Sequence, residues 1–131
     1  MTKTKLFALG MATALAFATT GTIAHADGAK VFKKKCRTCH KIDRHGVGPM
    51  LKGVVGRTCG TSGFKKHGKD YKAACSKHGF TLDEAFLDAW LANPKVQLGK
   101  LVGKKKGKTS MSARLRKKAD RDAVITFLKS L

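Results

Sequence analysis

Cys36-Arg37-Thr38-Cys39-His40 carries the main structural information in this 131-residue chain, because two cysteines stand three positions apart and a histidine follows the second directly. On one helical turn this spacing brings both thiols to one edge of a porphyrin, where each can add to a vinyl group, and turns the imidazole towards the iron. The motif therefore predicts covalent attachment of one haem c. A dithiol redox site and half of a zinc site are the alternatives. However, no second cysteine pair has zinc-ligand spacing, and no strand leads into the motif.

The first 26 residues have the pattern of an export signal. Two lysines precede an apolar run over 6–18, and Ala24-His25-Ala26 matches an AxA cleavage site. We expect a cleaved secretory signal peptide followed by a single mature domain, 27–131, in the bacterial periplasm. No later segment approaches the ~18 to 20 uncharged residues of a membrane helix. The alternative is that the signal stays uncleaved and anchors the protein.

The chain is strongly basic, with 28 Lys and Arg against 8 Asp and Glu and a formal charge of +20. Loss of Lys3 and Lys5 with the signal lowers this charge to +18. Nucleic acid is disfavoured as a partner, because export removes the protein from it and the lone tyrosine and tryptophan do not alternate with the basic runs. We therefore expect a negatively charged redox protein or membrane surface as the partner.

Three segments have helical periodicity, and no segment alternates like a strand. Asp27 can cap a first helix over 28–35, which leads directly into the haem motif. Thr81-Leu82-Asp83-Glu84 forms a capping box for a second helix that ends at Asn93-Pro94. A third helix runs from about Lys117 to the C-terminus. The sequence predicts an all-α domain whose thin core is completed by the haem, so that the apoprotein is largely unfolded.

These motifs, in this order, resemble the class I cytochromes c and are similar to the bacterial periplasmic cytochrome c-two carriers. The resemblance extends over nearly the whole mature sequence: Gly28 and Phe32, CxxCH at 36–40, Gly48-Pro49-Met50-Leu51-Lys52-Gly53-Val54-Val55-Gly56-Arg57, Gly63-Phe64, Asp70-Tyr71-Lys72-Ala73-Ala74, Asn93-Pro94-Lys95, Lys108-Thr109-Ser110-Met111-Ser112, and Val124 with Phe127. It implies the class I cytochrome c fold, with N- and C-terminal helices crossing and one haem surrounded by helices and loops. It also implies that the Pro49 carbonyl accepts a hydrogen bond from His40 and that Arg57 approaches a haem propionate.

The sixth ligand of the iron has several candidates. Suitable donor atoms are carried by Met111, by Met50 and by one of His45, His67 or His78. We expect Met50 to pack in the core on the histidine side of the ring, and the three histidines to lie in basic surface loops. Met111 stands where the family has its methionine, so the resemblance implies His40/Met111 ligation. This pair favours reduced iron and suits an electron carrier.

The chain also departs from the family's pattern. Gly79-Phe80-Thr81-Leu82 lacks the usual tryptophan, which removes a hydrogen-bond donor to the inner propionate. Lys66 stands where a tyrosine is usual, unless a small insertion moves His67 into that place. Trp90 replaces a tyrosine near the methionine. It either shields Met111 or donates its indole N–H there, or it is simply a core residue.

Cys59 and Cys75 remain after the haem pair is assigned. An even number of leftover cysteines in an oxidising compartment indicates a disulfide, and two buried free thiols are the alternative. Chain entropy suggests a stabilisation of roughly 3 kcal/mol for a bridge of this loop length.

The resulting expectation is a soluble, monomeric, periplasmic monohaem cytochrome c that shuttles single electrons and is not an enzyme. The resemblance implies acidic complexes at the membrane surface as partners, with a quinol-oxidising complex as donor and an oxidase or reaction centre as acceptor. Lysines around the exposed haem edge are expected to steer docking. A different class stays open: with an open sixth position, the same fold would be a haem-based ligand sensor or a peroxidase-like protein.

Overall fold

A computed structural model describes residues 21–131, which form five α-helices, a π-helical turn and one two-stranded β-ladder. The α-helices are α1 (Gly21–Val31), α2 (Lys69–His78), α3 (Glu84–Ala92), α4 (Pro94–Val102) and α5 (Lys118–Lys129). The π-helical turn Phe32–Cys36 continues α1, and the strands β1 (Arg57–Thr58) and β2 (Thr81–Leu82) pair antiparallel. The predicted all-α class is confirmed. The apolar run of the predicted signal peptide, 6–18, lies outside the described residues.

Helices α1 and α5 cross at close range, as the resemblance implied for the two ends of the mature chain. A Cβ atom on Gly28 would lie 2.1 Å from the carbonyl oxygen of Ala123 and 2.6 Å from Cβ of Phe127. Only glycine allows this approach, in which Val124 and Phe127 become buried. The ring of Phe32 lies 5.6 Å from that of Phe127. The segment that leads into the haem motif is thereby fixed against the C-terminal helix.

Helix α1 begins earlier than predicted. It starts at Gly21 and passes through Asp27, so Asp27 is not its N-cap. The Asp27 carboxylate lies instead 3.4 Å from the ammonium of Lys30, in an exposed pair one turn along the helix. The predicted cap assumed a chain that begins at residue 27, whereas the full chain has preceding residues through which the helix continues.

The start of α3 is displaced by two residues from the predicted capping box. Thr81 and Leu82 form β2, so they belong to an extended segment and not to the helix. Asp83 is the N-cap, and its carboxylate accepts a hydrogen bond from the N–H of Phe86 at 2.7 Å. The prediction of a capping box at Thr81 is therefore wrong, while the helix end before Asn93 is confirmed.

Helices α2 and α4 lie in segments that had no predicted structure. In α2 only Asp70 and Ala74 are buried, so the sequence lacks a clear apolar stripe. Helix α4 follows α3 directly, because Asn93 ends one helix and caps the next by accepting the N–H of Val96 at 3.3 Å. Pro94 stands in the first turn of α4, where it needs no hydrogen-bond partner for its nitrogen.

The hydrophobic core lies between α1, α3, α5 and the loops that follow the haem motif. Its buried members are Phe32, Leu51, Val54, Leu82, Leu87, Leu91, Leu115, Val124, Ile125, Phe127 and Leu128. Cys36, Phe86 and Met111 are half-buried and pack against it. Cys36 of the predicted attachment motif and the predicted ligand Met111 therefore pack against the same core. Among the helices of residues 21–131, none has the length and apolarity needed to cross a membrane.

Candidate haem-binding site

The turn over 36–40 presents two thiols and an imidazole from one short segment. The N–H groups of Cys39 and His40 donate to the carbonyl oxygen of Cys36 at 3.1 and 2.8 Å. Cys39 is exposed, whereas Cys36 is half-buried against the core. Burial raises the pKa of the Cys36 thiol to about 11. Before haem attachment the Cys36 thiol is therefore protonated at neutral pH.

His40 is held by the segment that follows it. Its Nδ1 lies 2.7 Å from the carbonyl oxygen of Pro49, and since a carbonyl only accepts, Nδ1–H is the donor. This tautomer leaves the lone pair on Nε2, the nitrogen that can bind iron. Gly48 makes room for the ring, because a Cβ at this position would lie 2.5 Å from Cε1 of His40. The steric role of Gly48 was not predicted, although the Gly-Pro pair was part of the motif.

Met111 is held by two hydrogen bonds. The indole N–H of Trp90 donates to Sδ of Met111 at 3.1 Å, and the N–H of Met111 donates to Oγ1 of Thr109 at 3.2 Å. Of the alternatives for Trp90, the structure has the one in which its indole N–H meets the methionine. The contact with Thr109 had no sequence signal that distinguished it from other loop threonines.

The other candidate ligands have protein partners. His45 accepts the N–H of Met50 at 3.1 Å, His67 lies 3.1 Å from the hydroxyl of Ser62, and His78 lies 2.7 Å from the carbonyl oxygen of Leu101. Met50 is half-buried and is not part of the hydrophobic core, so the expectation that it packs there is wrong. Lys66 is exposed and His67 is half-buried, so His67 occupies the inward position of the two.

Arg57 binds the loop that follows Pro49. Its guanidinium donates to the carbonyl oxygen of Met50 at 3.1 Å and to that of Lys52. Desolvation by burial lowers the pKa of Arg57. These bonds use part of the guanidinium to fix the backbone behind the histidine, a role that the resemblance did not imply.

An aromatic cluster lies beside Met111. Tyr71 stacks on His67 with ring centroids 4.5 Å apart, and it meets the rings of Phe80 and Trp90 edge to face at 6.0 Å each. These side chains are half-buried, and the indole N–H of Trp90 connects the cluster to the methionine.

Cys59 and Cys75 are free thiols in this structure, so the predicted disulfide is not formed in it. Cys59 is buried, Cys75 is half-buried, and the two side chains are neighbours. Burial, followed by the adjacent Cys59, raises the pKa of the Cys75 thiol to about 12.

The donor set fits a haem c by its chemistry. Two thiols one turn apart suit two thioether bonds, His40 offers Nε2, and Met111 offers a thioether sulfur. The structure brings Cys36, Cys39 and His40 together in one turn and places Met111 against the same core as Cys36.

Known proteins are similar to this chain in sequence and in fold. The family model for cytochrome c matches residues 25–131. The chain is 39% identical over 108 residues to cytochrome c2 iso-1 of Magnetospirillum fulvum, in an alignment that covers 81% of this chain and 99% of that protein. It is 34% identical over 134 residues to cytochrome c2 of Rhodospirillum rubrum, covering 98% of each. The solved ferricytochrome c2 of Rhodopseudomonas palustris superposes with a TM-score of 0.73 at 32% identity, over 82% of this chain and 97% of that one.

Proposed function

Because this chain belongs to the cytochrome c family, we propose that it is a periplasmic electron carrier with His40 and Met111 as the axial ligands of its iron. It is not an enzyme, in keeping with its cytochrome c2 relatives. Its cofactor is one haem c, covalent through Cys36 and Cys39. The observation that carries the proposal is the hydrogen bond from His40 to Pro49 directly behind the two cysteines, because it leaves Nε2 available to iron.

The residues around the site prepare both ligands. The bound haem supplies an iron that gains and loses one electron. Pro49 fixes the tautomer and the ring plane of His40, and it makes the imidazole a stronger donor. Trp90 directs its indole N–H at the sulfur of Met111, which orients the thioether and withdraws electron density from it. Because both ligands are positioned beforehand, little of the protein has to rearrange when an electron is transferred.

Absorption spectroscopy tests the ligation. The oxidised protein should have the weak far-red band of an iron–methionine bond. Met111→Ala should abolish this band, keep the haem attached and lower the midpoint potential by roughly 100 mV or more. Met50→Ala is the matched control and should keep the band. If Met50→Ala loses the band and Met111→Ala keeps it, the assignment is wrong. A high-spin spectrum and fast carbon monoxide binding in the unmodified protein would support the sensor or peroxidase-like alternative.

We also propose that residues 1–26 are a cleaved signal peptide and that the mature, monomeric protein, 27–131, works in the bacterial periplasm. The basic start, the apolar run and Ala24-His25-Ala26 support export. After cleavage, Asp27 would be the first residue and could cap a helix that begins at residue 28, as the sequence predicted. Native mass spectrometry of the exported holoprotein should give one chain starting at Asp27 with one haem. A mass that includes residues 1–26 would refute cleavage.

The partners that we propose are acidic redox complexes at the membrane surface, with a quinol-oxidising complex as donor and an oxidase or reaction centre as acceptor. The charge of +18 that remains after loss of Lys3 and Lys5 supports this choice. Basic side chains also lie next to the methionine, since Lys95, Lys106 and Arg114 line a cavity of about 240 Å³ together with Met111. An acidic surface that approaches this side would meet positive charge close to the site of electron transfer.

The dependence of the electron-transfer rate on ionic strength distinguishes charges that steer a partner from charges that only keep the protein soluble. Electron transfer to an acidic partner should slow as salt rises from 0.01 to 0.15 M, because the Debye length falls from ~30 to ~8 Å and steering is worth up to about 10³-fold in rate. Lys95→Glu/Lys106→Glu should slow it much more than the matched reversal Lys77→Glu/Lys117→Glu. Lys104 is left unchanged, because it pairs with a buried carboxylate. An electron-transfer rate that changes neither with salt nor with either pair of reversals would refute electrostatic docking at the surface around Lys95, Lys106 and Arg114.

Finally, we propose that Cys59 and Cys75 form a disulfide in the exported protein. Their adjacency and the oxidising compartment support it. The two thiols would lose two electrons and two protons to a thiol–disulfide oxidoreductase, and the bridge would add roughly 3 kcal/mol of stability. Thiol titration of the denatured holoprotein should find no free thiol, because Cys36 and Cys39 are held by the haem. Two reactive thiols would exclude the bond.

A further inference from the structure

Asp70 is a buried carboxylate in a strongly basic protein. The chain has only 8 acidic residues, and Asp70 is 9% exposed. It stands in the first turn of α2, where a negative charge is favourable to the helix. A buried carboxylate needs partners to offset the loss of its hydration, so its contacts identify what it holds.

Both oxygens of Asp70 bind one loop, residues 103–110, which runs from the end of α4 towards Met111. Oδ1 accepts a hydrogen bond from the ammonium of Lys104 at 2.9 Å, and Oδ2 accepts the backbone N–H of Lys108 at 2.7 Å. The N–H of Lys108 and then the ammonium of Lys104 hold the pKa of Asp70 below its ordinary value. The loop is therefore tied to α2 at two points, the second of which lies three residues before Met111.

The same loop is held to α4 by contacts that leave it little freedom. A Cβ on Gly99 would lie 2.6 Å from the carbonyl oxygen of Lys104, and a Cβ on Gly107 would lie 2.5 Å from Cγ of Leu98. The N–H of Gly107 donates to the carbonyl oxygen of Lys95 at 2.8 Å. Four lysines within 104–108 repel one another, and among the ion pairs of residues 21–131 their acidic partner is Asp70. The carboxylate thus supplies the charge that a compact loop requires.

We propose that Asp70 is a positioning residue for Met111: its carboxylate clamps the loop over 103–110 to α2 and so holds the methionine where it can bind the iron. This inference rests on the proposed function, in which Met111 is the sixth ligand. Asp70 acts through Lys104 and the backbone of Lys108 and does not touch the methionine. Loosening the clamp increases the fraction of molecules in which the methionine side of the iron is open.

Imidazole binding to the oxidised holoprotein measures this open fraction, because added imidazole binds only after the methionine leaves and its apparent affinity scales with the open population. Asp70→Asn keeps the size of the side chain but removes its charge, and it should raise the apparent affinity at least about tenfold, as expected for loss of a charge-assisted hydrogen bond. Asp88→Asn is the matched control. Asp88 binds Arg121 at 2.7 Å between α3 and α5, outside the loop, and its replacement should leave imidazole affinity unchanged.

Two further variants distinguish a failure of the clamp from a failure of the proposed Met111 ligation. Lys104→Met removes one of the two contacts and should raise the affinity by a smaller factor, which keeps the test open if Asp70→Asn does not fold. Met111→Ala should bind imidazole much more tightly, and Asp70→Asn/Met111→Ala should bind like Met111→Ala alone. An unchanged affinity in Asp70→Asn, or an equal rise in Asp88→Asn, overturns the clamp. If Met111→Ala binds like the unmodified protein, the ligation itself is wrong, and Asp70 has no ligand to position.

Discussion

The hydrogen bond from Trp90 to Met111 gives a quantitative prediction for the midpoint potential. The N···S distance is 3.1 Å, and the positive end of the indole N–H dipole points at the sulfur. Positive charge near the ligand stabilises the electron-rich, reduced iron. Trp90→Phe keeps an aromatic ring in place but removes the donor, so it should destabilise the reduced state and lower the potential.

The size of this shift follows from the strength of one hydrogen bond. A net contribution of about 0.5 to 1.5 kcal/mol is typical, and the whole of it appears in the potential only if the bond is made in one oxidation state alone. For a one-electron couple about 1.4 kcal/mol corresponds to ~59 mV. We therefore expect the potential to fall by at most about 20 to 60 mV, well below the loss expected for removal of Met111 itself.

Spectroelectrochemical titration of the purified holoprotein measures the shift. Phe86→Leu is the matched control, because the ring of Phe86 stacks on Trp90 at 5.8 Å and its loss disturbs packing but leaves the indole N–H in place. It should cost stability with little change in potential. An unchanged potential in Trp90→Phe, or an equal fall in Phe86→Leu, would show that the hydrogen bond has no electronic role.

Three other substitutions test the scaffold. Gly28→Ala would place a Cβ 2.1 Å from the carbonyl oxygen of Ala123, and it should destabilise the protein by about 1 to 3 kcal/mol in guanidinium unfolding. Gly48→Ala would push on the ring of His40, whose Cε1 lies 2.5 Å from the added Cβ, and should reduce the yield of low-spin holoprotein. Asp88 has its pKa lowered by a hydrogen bond from an arginine, so it stabilises the fold above its ordinary pKa of about 3.9 and loses this contribution as pH falls through the lowered value. Asp88→Asn should therefore unfold with a weaker dependence on pH in acid than the unmodified protein, as measured by circular dichroism.

The turn that holds His40 could be predicted because its information is local, whereas the crossing of α1 and α5, which brings Gly28 to Ala123, was implied only by the resemblance. CxxCH fits within a single turn, and His40 and Pro49 are nine residues apart. The wrong positions at Asp27 and Thr81 have different causes. A helix continues through Asp27 into preceding residues, and Thr81 pairs with β1 across the chain. Helices α2 and α4 could not be predicted from periodicity, since tertiary contacts and caps stabilise them more than an apolar stripe does.

The methionine side of the site differs from the histidine side in how it is built. The hydrogen bond between Trp90 and Met111 spans 21 residues of sequence, and those from Lys104 and Lys108 to Asp70 span 34 and 38. No sequence spacing predicts such contacts, because they form only after α2, α3 and the loop before the last helix have packed together. Long-range contacts also cost more chain entropy to close than local ones. The geometry of the sulfur ligand therefore depends on residues of α2 and α3 that are distant in sequence, and substitutions in these helices can change that ligand while the haem motif stays intact.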